Sequence, residues 1–362
     1  MAAQTPPSEQ LFEAAITRDV PAEKYVYNWR DAVLMKSFID IARHDPAKAD
    51  RVLKYVDDAM TRLAPKAHGV HPNGIASAIG LAYLQEKGGS DMQTDKALHR
   101  VLTQYAAIVR APNGACSHRV GILELWDDTV YMLGMALIGC HQATGDMAYL
   151  DKYADEIIAH AQYLYDSKTG FWYHGWAETS YPTEDNCCQY GWNNNPQHRN
   201  NEFWGRGNGW IAMSLVDILE FLPKTDERYP QIRQMYEQMM KTLTRLQDKN
   251  TGLWRQLPLH VKDKDNFLES SGTAMFGYAY AKGYRLGLLD KSYRAKAEMA
   301  YEGIVNHCIE NLGTDQIRLG QICAGTCIGD RQYYYRRPVV AGSESYATGA
   351  VLLLANELKI SK

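Results

Sequence analysis

The sequence has no long hydrophobic run, no excess of charge of one sign and few phenylalanines. No apolar stretch approaches the roughly 20 residues that a membrane-spanning helix needs. The formal net charge is −3, from 39 Lys and Arg against 42 Asp and Glu, which argues against a general polyanion binder. Hydrophobic residues make up 46% of the 362, too many for a disordered protein, and a chain this long can bury a sizeable core. We expect a globular protein that binds neither nucleic acid nor membrane.

Cysteine is also sparse, and its pattern does not resemble a disulfide framework. There are seven cysteines, an odd number, with one adjacent pair at Cys187 and Cys188. Cys323 and Cys327 have a spacing seen in metal sites, but no second Cys or His pair stands at a matching distance. We therefore expect mostly buried, apolar cysteines and no metal site.

The N-terminus lacks the basic region and apolar stretch of an intact signal peptide. Residues 1–7, Met-Ala-Ala-Gln-Thr-Pro-Pro, are compatible with a start methionine placed before a mature end left by small-residue cleavage. This favours a periplasmic or secreted protein over a cytoplasmic one. We expect a monomer or a weak homo-oligomer.

The aromatic composition is unusual, with 24 Tyr and 8 Trp against only 7 Phe. Tyr and Trp combine a flat apolar face with a polar group, which suits a hydrated groove. Sugar rings fit such a groove because their C–H faces stack while their hydroxyls form hydrogen bonds. A Tyr-rich core with satisfied hydroxyls explains the composition equally well.

Helical periodicity dominates the chain, and strand-like alternation is confined to connections. The predicted helices cover about 24–44, 47–63, 73–87, 93–110, 124–143, 147–165, 204–221, 228–247, 267–287, 291–309 and 344–358. An internal repeat, Asp-x-x-Thr-Gly-x-Trp, begins at Asp166 and again at Asp248, each time just after a helix. Repeated helix pairs with their loops on one side predict an all-α (α/α)6 barrel, a double ring of helical hairpins. Because no linker divides the chain, we expect one barrel domain over 23–362, preceded by an extension over 1–22.

Two segments carry residues suited to chemistry. The first, from Trp204 to Trp210, reads Trp-Gly-Arg-Gly-Asn-Gly-Trp and opens a helix after a long irregular stretch over about 174–203. Its glycines allow close approach of a ligand, Arg206 can hold a carboxylate, and the tryptophans offer stacking faces. The glycine spacing excludes a nucleotide loop. The alternative is a tightly packed helix start with Arg206 in an ordinary ion pair.

The second segment places Asp127 and Asp128 at the start of a strongly apolar helix. Adjacent helical positions differ by about 100°, so the two carboxylates cannot serve one site equally. The residues alone leave capping and catalysis equally open. His118 and His174 stand near these segments, although a lone histidine is more often structural than catalytic.

The order of several motifs resembles the unsaturated rhamnogalacturonyl hydrolases of glycoside hydrolase family 105, which are relatives of the unsaturated glucuronyl hydrolases of family 88. The motifs are Trp126-x-Asp128-x-x-Tyr131-Met132, Tyr173-His174-Gly175-Trp176, Phe203-Trp204-Gly205-Arg206-x-x-Gly209-Trp210, Gly252-Leu253-Trp254 and Tyr333-Tyr334. The resemblance extends from about residue 25 to the C-terminus. It implies an (α/α)6 barrel, in agreement with the helix pattern, and an enzyme.

The resemblance also implies the reaction. The substrate would be an unsaturated uronyl oligosaccharide left by a polysaccharide lyase, of the pectin or rhamnogalacturonan type. Protonation of its C4=C5 enol ether, followed by addition of water at C5, would release the terminal sugar. One carboxyl group can donate the proton and then help to deprotonate the water. No cofactor is implied, because an enol ether can be protonated directly.

By the same resemblance, Asp128 rather than Asp127 would be the general acid and base. The substrate-binding residues would be Asn73, His118, Trp126, His174, Trp176, Trp204, Arg206 and Trp210. Asn73 departs from the pattern, since many relatives carry Asp there, and Asn cannot hold a negative charge. This leaves galacturonyl and glucuronyl substrates both open.

Two other functions remain open at this point. A sugar epimerase on a similar barrel would need two histidines placed for proton transfer, and no such pair is evident in the sequence. A glycan-binding barrel with little or no catalytic activity would fit Asn73, whereas Asp128, His174 and Arg206 together favour an enzyme.

Overall fold

The computed structural model of the protein describes residues 5–179, 187–313, 316–342 and 344–361. The helices are α1 (Pro7–Ala14), α2 (Trp29–His44), α3 (Pro46–Leu63), α4 (Pro72–Ala76), α5 (Ala78–Glu86), α6 (Met92–Ala106), α7 (Asp127–Thr144), α8 (Ala148–Leu164), α9 (Gly205–Phe221), α10 (Tyr229–Leu246), α11 (Ser270–Arg285), α12 (Lys291–His307), α13 (Arg331–Tyr335) and α14 (Ser345–Ile360). The strands are β1 (Leu125–Trp126), β2 (Gly175–Trp176), β3 (Trp254–Arg255), β4 (Leu268–Glu269), β5 (Ile309–Gly313), β6 (Gln316–Leu319), β7 (Ile322–Cys323) and β8 (Val339–Val340).

The helices form two concentric rings. In the inner ring, α2 packs on α4 and α5, α5 on α7, α7 on α9, α9 on α11 and α11 on α14, which closes the ring against α2. The outer helices α1, α3, α6, α8, α10 and α12 cover the ring from outside. The predicted (α/α)6 barrel is therefore confirmed.

Burial follows from the position of each helix. Inner helix α9 is buried at every position from Gly205 to Leu219, as expected for a helix enclosed on all sides. Outer helix α10 buries only one stripe, with Ile232, Met235 and Met239 spaced by three and four residues. The sequence pattern thus encodes the ring to which each helix belongs.

The N-terminal segment adds to the barrel core. Helix α1 packs against α14, and its Leu11 and Phe12 are buried in the main hydrophobic core. The periodicity did not predict α1, which has only eight residues. The predicted helix over 73–87 is in fact two helices separated at Ser77. The division of the chain at residue 22 stays a prediction.

The strands all lie in connections, as predicted, and each pairs with one antiparallel partner in the described part of the chain. In the β1–β2 pair, Leu125 lies opposite Trp176 and Trp126 opposite Gly175. The other pairs are β3–β4, β5–β6 and β7–β8. These short ribbons lie in the connections that precede the inner helices α7, α9, α11 and α14, so they shape the face where those helices begin.

The internal repeat forms the same turn twice. Thr169 donates its hydroxyl hydrogen to Asp166 at 2.6 Å, and Thr251 donates to Asp248 at 3.0 Å. The glycine that follows has φ of 79° in the first copy and 75° in the second, a conformation that favours glycine. Both tryptophans of the repeat are then buried. Among the described residues, no helix is long and apolar enough to cross a membrane.

The cysteine prediction was wrong for one pair. Cys187 and Cys327, 140 residues apart, form a disulfide that joins the loop before α9 to the loop before α13. Such a long separation leaves no local pattern, because only the folded chain brings the two loops together. Cys116, Cys140, Cys308 and Cys323 are buried thiols, as expected.

We expect the double substitution Cys187→Ser, Cys327→Ser to lower the free energy of unfolding by about 2–4 kcal/mol, because the unfolded chain loses a long-range cross-link. Urea denaturation of both proteins would measure this difference. Dithiothreitol should destabilise the wild type and leave the double variant unchanged. Equal stability of the two proteins would contradict the prediction.

Candidate active site

The inner helices begin on one face of the barrel, where their N-terminal ends surround a shared mouth. Trp29 begins α2, Asp127 and Asp128 begin α7, and Arg206 lies in the first turn of α9. Helix N-terminal ends carry partial positive charge, so this face favours anionic groups.

Asp128 and His174 form the central pair. The Oδ2 atom of Asp128 lies 3.1 Å from Nε2 of His174, and the backbone amide of Asp127 donates to the carbonyl of His174 at 3.0 Å. The side chain of Asp128 is 15% exposed, whereas that of His174 is fully buried. The pair therefore presents a carboxyl group at the surface, held from behind by an imidazole.

A flat aromatic wall stands beside this pair. The rings of Trp126 and His118 stack at 4.3 Å with an interplanar angle of 5°. Trp126 donates its indole hydrogen to Oε1 of Glu124 at 2.6 Å, and His118 Nδ1 lies 2.9 Å from the Thr129 hydroxyl. Burial lowers the pKa of His118 to about 3, so this imidazole is neutral at neutral pH.

The neighbouring carboxyl of Asp127 has a different environment. It is fully buried, and neither of its oxygens forms a hydrogen bond with any residue that the structure describes. It packs against Gly207, where a Cβ atom would lie 2.4 Å from Asp127 Oδ2. Only glycine fits at position 207 without displacing this carboxyl.

The two acids also differ in their protonation. Burial, and then the charge of Asp128, raise the pKa of Asp127 well above its ordinary value. Burial acts in the same direction on Asp128, but the hydrogen bond and charge of His174, together with His118 and Asp127, outweigh it and hold the pKa of Asp128 below its ordinary value. Of the two adjacent carboxyls, Asp127 is therefore the one that favours its protonated form.

Arg206 does not reach the surface of the site. Its guanidinium is buried, donates to the backbone carbonyls of Cys323 and Ala324, and lies over the rings of Trp204 and Tyr346 at 4.4 and 4.7 Å. Within the described residues, Arg206 forms no ion pair and instead holds the loop that follows β7. Its contact with a substrate stays a prediction.

The predicted tryptophans separate into three environments. Trp204 is buried behind His174, with ring centres 4.6 Å apart. Trp210 lies in the core and stacks on Tyr131 at 5.3 Å. Trp176 is on the opposite face of the β1–β2 ribbon from Trp126, because side chains alternate along a strand. There it packs against Tyr163 at 4.4 Å, away from Asp128.

Asn73 is half-buried in the first turn of α4. His71, two residues earlier, lies close enough to His118 for its charge to affect that imidazole. The structure thus brings the start of α4 towards the His118 side of the mouth. No hydrogen bond of the Asn73 side chain joins it to another described residue.

Several supporting residues were missed by the sequence reasoning. Glu124 fixes Trp126, Thr129 fixes His118, and Tyr334 contacts His174 Nδ1 at 2.9 Å. Tyr334 stood in one of the quoted motifs, but nothing in the sequence linked it to a histidine 160 residues away. Thr129 could have been found, since it directly follows the acid pair.

Possible metal ligands were sought across the described ranges. Asp127, Asp128 and His174 offer ligand atoms that all lie within 4.8 Å of one another. However, both ring nitrogens of His174 already have partners, Asp128 on one side and Tyr334 on the other. A cation here would have to displace the contact between His174 and Asp128, so these residues do not fit a resident metal.

We expect Asp127→Asn to stabilise the protein increasingly as the pH rises. When folding raises the pKa of a carboxyl group, that group stabilises the folded protein most at a pH below its pKa in the unfolded state, about 4. This stabilisation is lost as the pH rises towards its pKa in the folded state. The amide of Asn does not ionise, so its contribution to stability does not change with pH. Melting temperatures of both proteins between pH 4 and pH 8 would measure the widening gap. Asp50→Asn, on the exposed side of α3, should show a constant gap, and a constant gap for Asp127→Asn would contradict the prediction.

Comparisons with known proteins agree with this geometry. The family described as Glycosyl Hydrolase Family 88 matches residues 11–361. The chain is similar to the unsaturated rhamnogalacturonyl hydrolase YesR of Bacillus subtilis, at 24% identity over 297 residues, covering 80% of this chain and 78% of that protein. It is also similar to an unsaturated 3S-rhamnoglycuronyl hydrolase of an Alteromonas species, at 27% identity, covering 65% of this chain and 51% of that one.

Solved structures share the fold. A family 105 glycoside hydrolase from C. acetobutylicum superposes with a TM-score of 0.82 at 24% identity, covering 98% of this chain and 99% of that one. An unsaturated glucuronyl hydrolase from Bacillus sp. GL1 superposes with a TM-score of 0.67 at 13% identity, covering 98% and 94%. The resemblance inferred from the motifs is confirmed: the chain belongs to glycosyl hydrolase family 88 and is a glycoside hydrolase.

Proposed function

We propose that this enzyme removes the terminal Δ4,5-unsaturated uronic acid from lyase-generated oligosaccharides, of the rhamnogalacturonan type, with Asp128 as general acid and base. One observation carries the proposal: Asp128 is a partly exposed carboxyl, held by a buried imidazole. The relatives named unsaturated rhamnogalacturonyl and rhamnoglycuronyl hydrolases support the substrate class.

The chemistry needs one proton donor and one water molecule. The C4=C5 bond is an enol ether because the ring oxygen is attached to C5. Protonation of C4 leaves an oxocarbenium ion at C5, and water adds there while its proton returns to the carboxylate. The resulting hemiketal opens and releases the neighbouring sugar. A single carboxyl can perform both proton transfers.

The two oxygens of Asp128 have different tasks in this proposal. Oδ2 is occupied by His174, which leaves Oδ1 to face the substrate. In the free enzyme the pKa of Asp128 is low, so Asp128 is ionised. Binding brings a uronate carboxylate and excludes water, and both effects raise the pKa of a neighbouring carboxyl. Asp128 would therefore take up its proton as the substrate binds.

The aromatic wall suits the sugar ring. The rings of His118 and Trp126 lie parallel and each covers one face of the other, so a pyranose ring would stack through its C–H face on an outer face of this pair, beside Asp128. Trp204 and Arg206 support His174 and the neighbouring loop from beneath.

We expect Asp128→Asn to lower kcat by about 10²- to 10⁴-fold, the usual contribution of a general acid and base. Asp127→Asn is the matched control, with the same substitution one position away. Because the pKa of Asp127 is raised and favours the neutral carboxyl, its amide should keep activity within about 10-fold of the wild type. Loss of ultraviolet absorbance of the conjugated C4=C5 acid would measure both rates.

Which of the two variants loses more activity decides which carboxyl is the general acid and base. If Asp127→Asn is the inactive variant, Asp127 is the acid and the proposal for Asp128 fails. If the wild type consumes no unsaturated disaccharide from rhamnogalacturonan or glycosaminoglycan lyases, the non-catalytic glycan-binding barrel becomes the better explanation.

Asn73→Asp would test the start of α4. A charged acceptor binds a sugar hydroxyl more strongly than an amide, so we expect kcat/KM on the preferred disaccharide to rise about fivefold. A carboxylate in the first turn of a helix is also favourable, so the fold should tolerate it. Rates on galacturonyl and glucuronyl disaccharides, with melting temperatures as a check on folding, would measure the effect. Unchanged rate and preference would show that position 73 does not contact the sugar.

A further inference from the structure

The ring of His174 lies in a chain of three side chains. Its Nε2 faces Asp128 Oδ2 at 3.1 Å, and its Nδ1 faces the Tyr334 hydroxyl at 2.9 Å. A neutral imidazole has one N–H donor and one acceptor nitrogen, so two arrangements of protons fit these distances. In one, Nε2–H donates to Asp128 and Nδ1 accepts from Tyr334. In the other, Asp128 donates to Nε2 and Nδ1–H donates to Tyr334.

The surroundings of Tyr334 distinguish the two arrangements. Its hydroxyl oxygen accepts a hydrogen bond from Asn200 Nδ2 at 3.4 Å. Asn200 is itself fixed, since its Oδ1 accepts from the Gly175 amide at 3.0 Å and its Nδ2 also donates to the Glu202 carbonyl. Among the described residues, Nδ1 of His174 is then the one acceptor within hydrogen-bond distance of the Tyr334 hydroxyl, so its hydrogen points at His174.

We propose that Tyr334 is a positioning residue that fixes His174 as the Nε2–H tautomer, so that His174 always donates to Asp128 Oδ2. Tyr334 is fully buried and contacts His174 at Nδ1, so it acts through that ring. The Nδ1–H arrangement would leave the hydroxyl hydrogen of Tyr334 without an acceptor among the described residues. That arrangement is disfavoured for this reason.

The consequence concerns where Asp128 carries its proton, and this part rests on the proposed function. Since Oδ2 receives a hydrogen from His174, a proton taken up by Asp128 must reside on Oδ1. Oδ1 is the oxygen left for the substrate, so the acid is aimed at the C4 carbon. Without Tyr334, the proton could settle between Oδ2 and His174, where it would not reach the substrate.

Other groups around this chain were considered, because each can alter its protonation. The titratable or charged side chains around Asp128, His174 and Tyr334 are Asp127 on α7, His118 in the loop before β1, Arg206 on α9, Cys188 in the loop after β2 and Tyr333 on α13. His118 bonds to Thr129 and Arg206 to backbone carbonyls, so neither competes for Nδ1 of His174.

The tautomer can be read directly by nitrogen NMR of protein labelled with ¹⁵N-histidine, with His174→Gln identifying the signals. We expect His174 in the wild type to have protonated Nε2 and unprotonated Nδ1 at neutral pH. A His174 that carries its proton on Nδ1, or on both nitrogens, would overturn the inference. This measurement needs neither a substrate nor a variant of Tyr334.

Tyr334→Phe should remove the preference and give a mixture of tautomers. It should lower kcat by roughly 10- to 100-fold, as when a partner that orients a working imidazole is lost, and leave KM within about twofold. The pH profile of kcat should also shift, which a purely structural defect would not cause. Wild-type tautomer, kcat and pH profile in a folded Tyr334→Phe protein would overturn the role of Tyr334.

Tyr335→Phe is the matched control. It removes the same atom from the next residue, whose hydroxyl donates to Asp263 at 2.7 Å and not to His174. It should keep both the tautomer and kcat. If the wild type shows the expected tautomer but consumes no unsaturated disaccharide, the proposed function fails while the tautomer assignment stands. If the wild type consumes the disaccharide but carries the His174 proton on Nδ1, the tautomer assignment fails while the proposed function stands.

Discussion

The antiparallel pairing of Leu125–Trp126 with Gly175–Trp176 is the contact on which the site depends. This two-residue ribbon joins segments about 50 residues apart and brings the start of α7 against His174. Glycine at position 175 lets Ile328 pack directly against this ribbon, since a Cβ atom there would lie 2.1 Å from Ile328 Cδ1 and displace that side chain. Because side chains alternate along a strand, the same pairing directs Trp126 to the site and Trp176 away from it.

The barrel was predictable because helical periodicity repeats along the whole chain, and burial of α9 and α10 follows it closely. The Asp-Asp pair was also visible, since both acids stand at a helix start. The residues alone did not separate the two acids, and only the family resemblance singled out Asp128; the difference in their surroundings depends on Gly207, a residue 80 positions later, closing over one carboxyl. The buried contacts of Arg206 were not predictable for a similar reason, because the carbonyls that accept from its guanidinium lie beyond residue 320.

Burial assigns different properties to chemically identical groups in this site. The pKa of Asp127, which is enclosed without a hydrogen-bond partner among the described residues, is raised, whereas the pKa of Asp128, with His174 beside it, is lowered. Opposite shifts on two adjacent carboxyls avoid placing two negative charges side by side in a region of low dielectric. The carboxyl with the lowered pKa is also the more exposed of the two, which is the arrangement that an acid protonated on substrate binding needs.

The disulfide connects this electrostatic arrangement to the outer loops. Cys187–Cys327 fixes the segment that continues through Ile328, which packs on Trp126, and the Cys327 amide donates to the hydroxyl of Tyr333, the residue before Tyr334. Gln189 also links these two loops, since its backbone amide donates to the backbone carbonyl of Ile328 at 2.8 Å. The position of Tyr334, and through it the tautomer of His174, thus depends on two loops held together by a covalent bond.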